Sequence, residues 1–158
     1  MQSADMLHQR RAERMNRAID VARTTPPADI PVGAVLYAPD GTELTTGTNR
    51  RETDGDPTAH AEIVAIRAAS RALATWRLDG CELVVTLEPC TMCAGAILGA
   101  RVASLTFGAF EPKTGAVGSL MDVLRDPAHL HTVQVRGGVQ EEETAALLSA
   151  YFGDLRRH

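Results

Sequence analysis

The stretch Cys81-Glu82-Leu83-Val84-Val85-Thr86-Leu87-Glu88-Pro89-Cys90-Thr91-Met92-Cys93 changes character in its middle. Its first seven residues form a largely apolar run, suited to a central strand covered on both faces. Glu88-Pro89 breaks that strand, and Cys90 to Leu98 reads as a short helix ending at Gly99. A buried strand that feeds a helix is the repeating unit of an α/β fold. Cys90 and Cys93, at i and i+3, share one face of the helix, where the exposed backbone N–H groups of the first turn favour thiolates.

Outward from this unit the chain keeps alternating. Met6, Leu7, Met15, Ala18, Ile19 and Ala22 fall at helical spacing with Arg10, Arg11, Arg14 and Arg17 on other faces, which predicts an amphipathic first helix that stops before Thr25-Pro26-Pro27. Pro31 to Tyr37 predicts a strand, Pro39-Asp40-Gly41 a turn, and Glu43 to Thr48 the hairpin partner. The polar segment Asn49 to Gly55 reads as a loop, and Asp56-Pro57 as the start of a helix running to about Leu73. Past the cysteine helix, Val102 to Phe107 predicts a strand, followed by a glycine-rich stretch from Gly108 to Ser119 and a helical turn around Met121 to Leu124. Thr132 to Arg136 is the last expected strand, and about Gln140 to Arg156 the last helix. No repeat, low-complexity tract or linker interrupts the series, so residues 1–158 read as one domain. A hairpin plus helical crossovers predicts an α/β protein, a three-layer α/β/α sandwich around a central mixed five-stranded sheet.

Composition narrows the function. At 158 residues the chain can bury roughly two thirds of its unfolded surface. Hydrophobic content of 44%, charged content of 23% and a mean hydropathy of -0.10 exclude a disordered or fibrous chain. A net charge of -4 weighs against nucleic-acid binding by bulk charge. Three cysteines make no closed disulfide framework, and two of them three residues apart favour metal or redox chemistry in a reducing compartment. The N-terminus has no apolar h-region, and the longest uncharged run, the 12 residues from Pro89 to Ala100, falls short of the ~20 a membrane helix needs. The expectation is a soluble cytoplasmic protein.

The chemistry rests on two segments, His60-Ala61-Glu62 and Pro89-Cys90-Thr91-Met92-Cys93. One imidazole nitrogen and two thiolates make a three-ligand catalytic zinc set with the fourth tetrahedral position left for water. His60 and Glu62 lie about 200° apart around a helix, so they meet only at a site off the helix's N-terminal end. Glu62 is then the natural proton carrier beside the metal. A chance His-x-Glu and a thioredoxin-like redox pair are the plainer readings of each segment alone. A four-cysteine structural zinc site fails because Cys81 is the only other thiol, and its place at the entry of a buried strand suits a small core residue. Together, in this order, the two segments match the known signature of the zinc nucleobase deaminases, His-x-Glu with Pro-Cys-x-x-Cys.

Longer stretches sharpen the match. Pro31-Val32-Gly33-Ala34-Val35, Asn49-Arg50, Asp56 to Ile63, Val85 to Ala96, Phe107-Gly108-Ala109, Lys113-Thr114-Gly115 and Gly118 to Leu124 together resemble the bacterial tRNA-specific adenosine deaminases. The resemblance runs from the first helix to about Phe152. It implies a cytidine deaminase-like fold and a homodimer that hydrolyses the wobble adenosine of an arginine tRNA anticodon to inosine, releasing ammonia. It further implies one zinc per subunit held by His60, Cys90 and Cys93, Glu62 as proton shuttle, and Asn49 on the flipped base. An acidic protein binds such a loop through local positive charge, for which Arg50, Arg51, Lys113 and Arg156-Arg157 are candidates. Tyr151 and Phe152 are open to two roles, stacking on RNA or packing in the core. Phe110-Glu111-Pro112 departs from the polar pair common in relatives, leaving Glu111 as an acceptor while Phe110 changes what flanking nucleotides meet.

The competing readings are a deaminase of guanine or another free nucleobase or nucleoside, which shares the zinc motif, and an inert RNA-binding subunit of the same fold. Glu62 argues against the second, since binding alone has no use for that carboxylate.

Overall fold

The structure is a computed structural model and describes residues 2–158. In chain order its elements are α1 (Gln2–Ala22), β1 (Gly33–Tyr37), β2 (Glu43–Thr48), α2 (Arg51–Asp54), α3 (Ala61–Leu73), β3 (Glu82–Leu87), α4 (Thr91–Gly99), β4 (Ser104–Ala109), β5 (Gln134–Arg136) and α5 (Glu141–Leu155). The strands form one sheet in the order β2-β1-β3-β4-β5. β1 runs antiparallel to both β2 and β3, whereas β3, β4 and β5 are parallel, so the sheet is mixed and five-stranded as expected.

Successive side chains of the inner strands go to opposite faces. Ala34 and Leu36 of β1, with Leu83 and Val85 of β3, join Ala65 and Ile66 of α3 and Ile97 of α4 in the larger core. Val35, Tyr37 and Val84 meet Met15, Ala18 and Ile19 of α1, with Leu147 of α5 packed against them. That division makes the three-layer sandwich. Every residue of β1 is buried, the pattern of a strand with helices on both sides. Each fully buried aliphatic side chain, such as Leu83 or Ile97, contributes about 1.5–3 kcal/mol. Gly47 in β2 lets α3 lie directly on the sheet: a Cβ there would collide with the Ala61 carbonyl and stand 2.7 Å from the Ala65 amide nitrogen. This contact sets the depth of the α3 N-terminus.

Several boundaries differ from the sequence reading. α3 begins at Ala61, not at Asp56-Pro57. The Asp56 carboxylate instead closes a local turn, accepting from the Thr58 N–H at 2.8 Å and the Thr58 hydroxyl at 2.7 Å. The expected loop Asn49 to Gly55 contains α2, because Asp29, more than twenty residues upstream, accepts the Glu52 and Thr53 N–H groups at 2.7 and 3.1 Å. Residues Met121 to Leu124 form no helical turn; they hold a bridge from Asp122 to Val117 and a bond from the Val123 N–H to the Ala116 carbonyl. β4 starts two residues late, since the Val102 N–H bonds the Ile97 carbonyl in the exit from α4. Met6 and Leu7, expected on the core face of α1, are 70% and 36% exposed. A 21-residue helix is about 31 Å long, while strands of five or six residues span only about 17–20 Å, so the first turns of α1 overrun the sheet.

Candidate metal centre and active site

α3 and α4 follow β2 and β3, and their N-terminal ends meet beside the carboxyl end of β3, where open α/β sheets bind ligands. His60 and Cys90 are the N-cap residues of the two helices, both extended, at φ -74°, ψ 157° and φ -77°, ψ 177°. Neither side chain caps its own helix, so both are free to point forward. The His60 Nδ1 lies 3.6 Å from the Cys90 Sγ and 3.5 Å from the Cys93 Sγ. Tetrahedral zinc, with bonds of about 2.05 Å to nitrogen and about 2.3 Å to sulfur, demands an N···S separation of about 3.6 Å. The donor set therefore fits zinc in both chemistry and spacing, and all its ligand atoms lie within 4.8 Å of one another. Among the described residues no other group of three or more His, Cys, Asp or Glu side chains comes together in this way. His60 and Glu62 do converge off the end of α3, as the spacing argument required. The cause is simpler than helical angle, since His60 precedes the helix.

The thiols are strongly coupled. The hydrogen bond from Cys93, helped by His60, holds the Cys90 thiol down to about 4 against the opposing effect of burial. The same bond and burial push Cys93 up, and the Cys90 partner raises His60. A divalent cation binds these donors in their deprotonated forms. Glu62 is buried at 4% exposure and lies outside the three-ligand group. Burial pushes its carboxyl up, opposed by a hydrogen bond from the adjacent Cys93.

A cavity of about 320 Å³ opens on these residues, near the lower end for small-molecule pockets and sized for a base with its sugar. Ile30, Val32 and Leu87 give it an apolar wall. Asn49 lines it with its amide already oriented: Nδ2 donates to the Ile30 carbonyl at 3.3 Å and Oδ1 accepts from the Arg51 N–H at 3.2 Å. Each amide end keeps one free hydrogen-bonding position.

The charged candidates separate. The Arg50 side chain folds back onto Asp54 in a bidentate pair at 2.9–3.1 Å and does not line the cavity; Arg51 does. Lys113 stands exposed on the loop whose Glu111 and Thr114 line the cavity, and among the described residues no carboxylate pairs with its ammonium. Phe152 and Leu148 line the cavity, while Tyr151 does not. Leu148 was missed in the sequence, although its i, i+4 spacing with Phe152 marks one face of α5. Also missed was Glu88, buried at 3% exposure, which accepts hydrogen bonds from Glu111, Val117 and Ser119. Burial pushes its carboxyl up, but those donors outweigh burial and hold it below the ordinary carboxylate value.

Residues 8–109 match the family model of the cytidine and deoxycytidylate deaminase zinc-binding region. The tRNA-specific adenosine deaminase of Bacillus subtilis (strain 168) is 47% identical over 129 residues, spanning 82% of this chain and 80% of that protein. A structure solved in a study of A-to-I editing by tRNA:A34 deaminases at the wobble position of transfer RNA superposes with a TM-score of 0.82 at 44% identity, covering 86% of this chain and 99% of that one. A guanine deaminase from Nitrosomonas europaea superposes with a TM-score of 0.75 at 30% identity, covering 90% and 84%. With sequence shared over about four fifths of a curated relative and a fold shared over nearly all of a solved one, this chain belongs to the zinc-dependent cytidine and deoxycytidylate deaminase family, among its tRNA-specific adenosine deaminases.

Proposed function

We propose that the protein hydrolyses the wobble adenosine of an arginine tRNA anticodon to inosine, consuming water and releasing ammonia, as a cytoplasmic homodimer with one zinc per subunit. The observation that carries this reading is the union of a three-donor zinc set, a buried carboxylate outside that set and a cavity of base-plus-sugar size. When bound, zinc supplies a Lewis acid that lowers the pKa of water to about 7.

The chain's own residues do the rest. Glu62 takes the proton lost by the attacking water and hands it to the amino nitrogen that leaves as ammonia. Burial pushes its carboxyl up from the ordinary carboxylate value, the direction that makes it a better proton acceptor. Asn49, pre-oriented by Ile30 and Arg51, offers its free N–H and lone pair to the base edge. The apolar wall of Ile30, Val32 and Leu87 excludes bulk water. An anticodon loop presents unstacked bases, which keeps extrusion into the cavity inexpensive.

Net charge of -4 makes contact with RNA a local matter, served by Lys113 and Arg51 near the mouth. The likeness to a guanine deaminase at 30% identity keeps a free purine as the second reading. Sequencing of an arginine tRNA anticodon stem-loop after incubation with the zinc-loaded protein tests the first. Inosine at the wobble position and nowhere else in the loop is expected; an unchanged loop contradicts it.

A further inference from the structure

We infer that Glu88 is a positioning residue for substrate: its buried carboxylate fastens the 111–119 loop to the turn between β3 and α4, and so sets the cavity wall and the placement of Lys113. This rests on the reading that the cavity takes a nucleotide of an RNA.

Glu88 is buried, and among the described residues no Lys or Arg pairs with it. Its charge is balanced instead by donors from a single loop. Oε1 accepts from the Glu111 N–H at 3.0 Å and from the Ser119 hydroxyl; Oε2 accepts from the Val117 and Ser119 N–H groups at 2.9 and 3.0 Å. A second tie, from the Ala116 N–H to the Pro89 carbonyl at 2.9 Å, joins the loop to the same turn. Gly115 packs on the carboxylate so closely that an added Cβ would stand 2.5 Å from the Glu88 Cδ.

Glu111, Val117 and Ser119 belong to no helix or named strand, so their N–H groups need an acceptor from elsewhere once buried. Glu88 supplies it from a position two residues before the ligand Cys90. The loop returns Glu111 and Thr114 to the cavity wall and leaves Lys113 at its exposed tip. None of the four bonds reaches His60, Cys90 or Cys93. Loss of Glu88 therefore displaces the substrate-facing loop before it disturbs the metal ligands.

Glu88→Gln keeps the shape but turns one end of the group into a donor facing loop donors, which leaves at least one buried N–H without an acceptor. The test is steady-state kinetics on the anticodon stem-loop, with zinc content and amide exchange across 111–119, for wild type, Glu88→Gln and the milder Ser119→Ala. For Glu88→Gln we expect KM to rise about tenfold with kcat within about threefold, about one zinc per chain, and faster exchange in 111–119. Ser119→Ala moves KM the same way by about threefold. Adding Lys113→Ala to Glu88→Gln raises KM less than it does in wild type, because the lysine is already misplaced. Unchanged KM and exchange in Glu88→Gln, or zinc lost together with activity, overturns the inference. A wild type that leaves the stem-loop unmodified sinks the functional reading instead, and the exchange comparison still decides whether Glu88 holds the loop.

Discussion

Glu62 and His60 stand two residues apart in different settings, since His60 occupies the N-cap position of α3 with its side chain turned to the cysteines and Glu62 is buried in the first turn. Glu62→Ala should cut turnover by roughly 10²–10⁴-fold while about one zinc per chain remains, read by metal analysis beside the kinetics. Zinc that disappears with the carboxylate would make Glu62 a ligand. For Lys113→Ala the expected outcome is weaker stem-loop binding with a salt slope shallower by about 0.7–1, from titrations at several salt concentrations; an unchanged slope puts Lys113 off the RNA path. His60, Glu62, Cys90 and Cys93 were legible in the sequence because zinc chemistry fixes donor types and each pair is local. Glu88 and Leu148 were not, because one acts through the backbone of a loop more than twenty residues away and the other through tertiary placement of α5.

At the level of elements, the strands and long helices followed from apolar runs, while the misplaced boundaries follow from side-chain and backbone bonds that periodicity does not report. α2 exists because Asp29 accepts its first N–H groups from a distance that no local pattern reveals. Burial pushes the Asp29 carboxyl up, but the Thr53 hydroxyl and the N–H groups of Glu52 and Thr53 outweigh it and hold it below its ordinary value. A carboxylate depressed in the fold stabilises above its unfolded pKa and loses that contribution as pH falls through its folded pKa. Asp29→Asn should thus cost about 1 kcal/mol at neutral pH and flatten the loss of stability below about pH 4, measured by denaturation across pH. An acid limb as steep as that of wild type would remove Asp29 from the account. Because α2 carries Arg51 into the cavity lining, the same variant should also raise KM for the stem-loop.

Over the whole molecule the sheet is a platform that brings two helix starts together, and with them the donor group of His60, Cys90 and Cys93. Chelation should lower the melting temperature by about 5–10 °C, restored by stoichiometric zinc, given about 2.7 kcal/mol from a ligand at a hundredfold its Kd. Among the described residues no helix is long and apolar enough to cross a membrane. The run from Cys81 to Cys93 read correctly as strand, break and helix; the overrun of α1 past the sheet could not be read, since spacing reports a face and not what covers it. The central claim is a choice of substrate, and it is tested most directly by kcat/KM for an arginine tRNA anticodon stem-loop and for free guanine, measured in parallel on the zinc-loaded protein. The account predicts inosine at the wobble position with guanine turned over far more slowly. Guanine deaminated as fast or faster would contradict it.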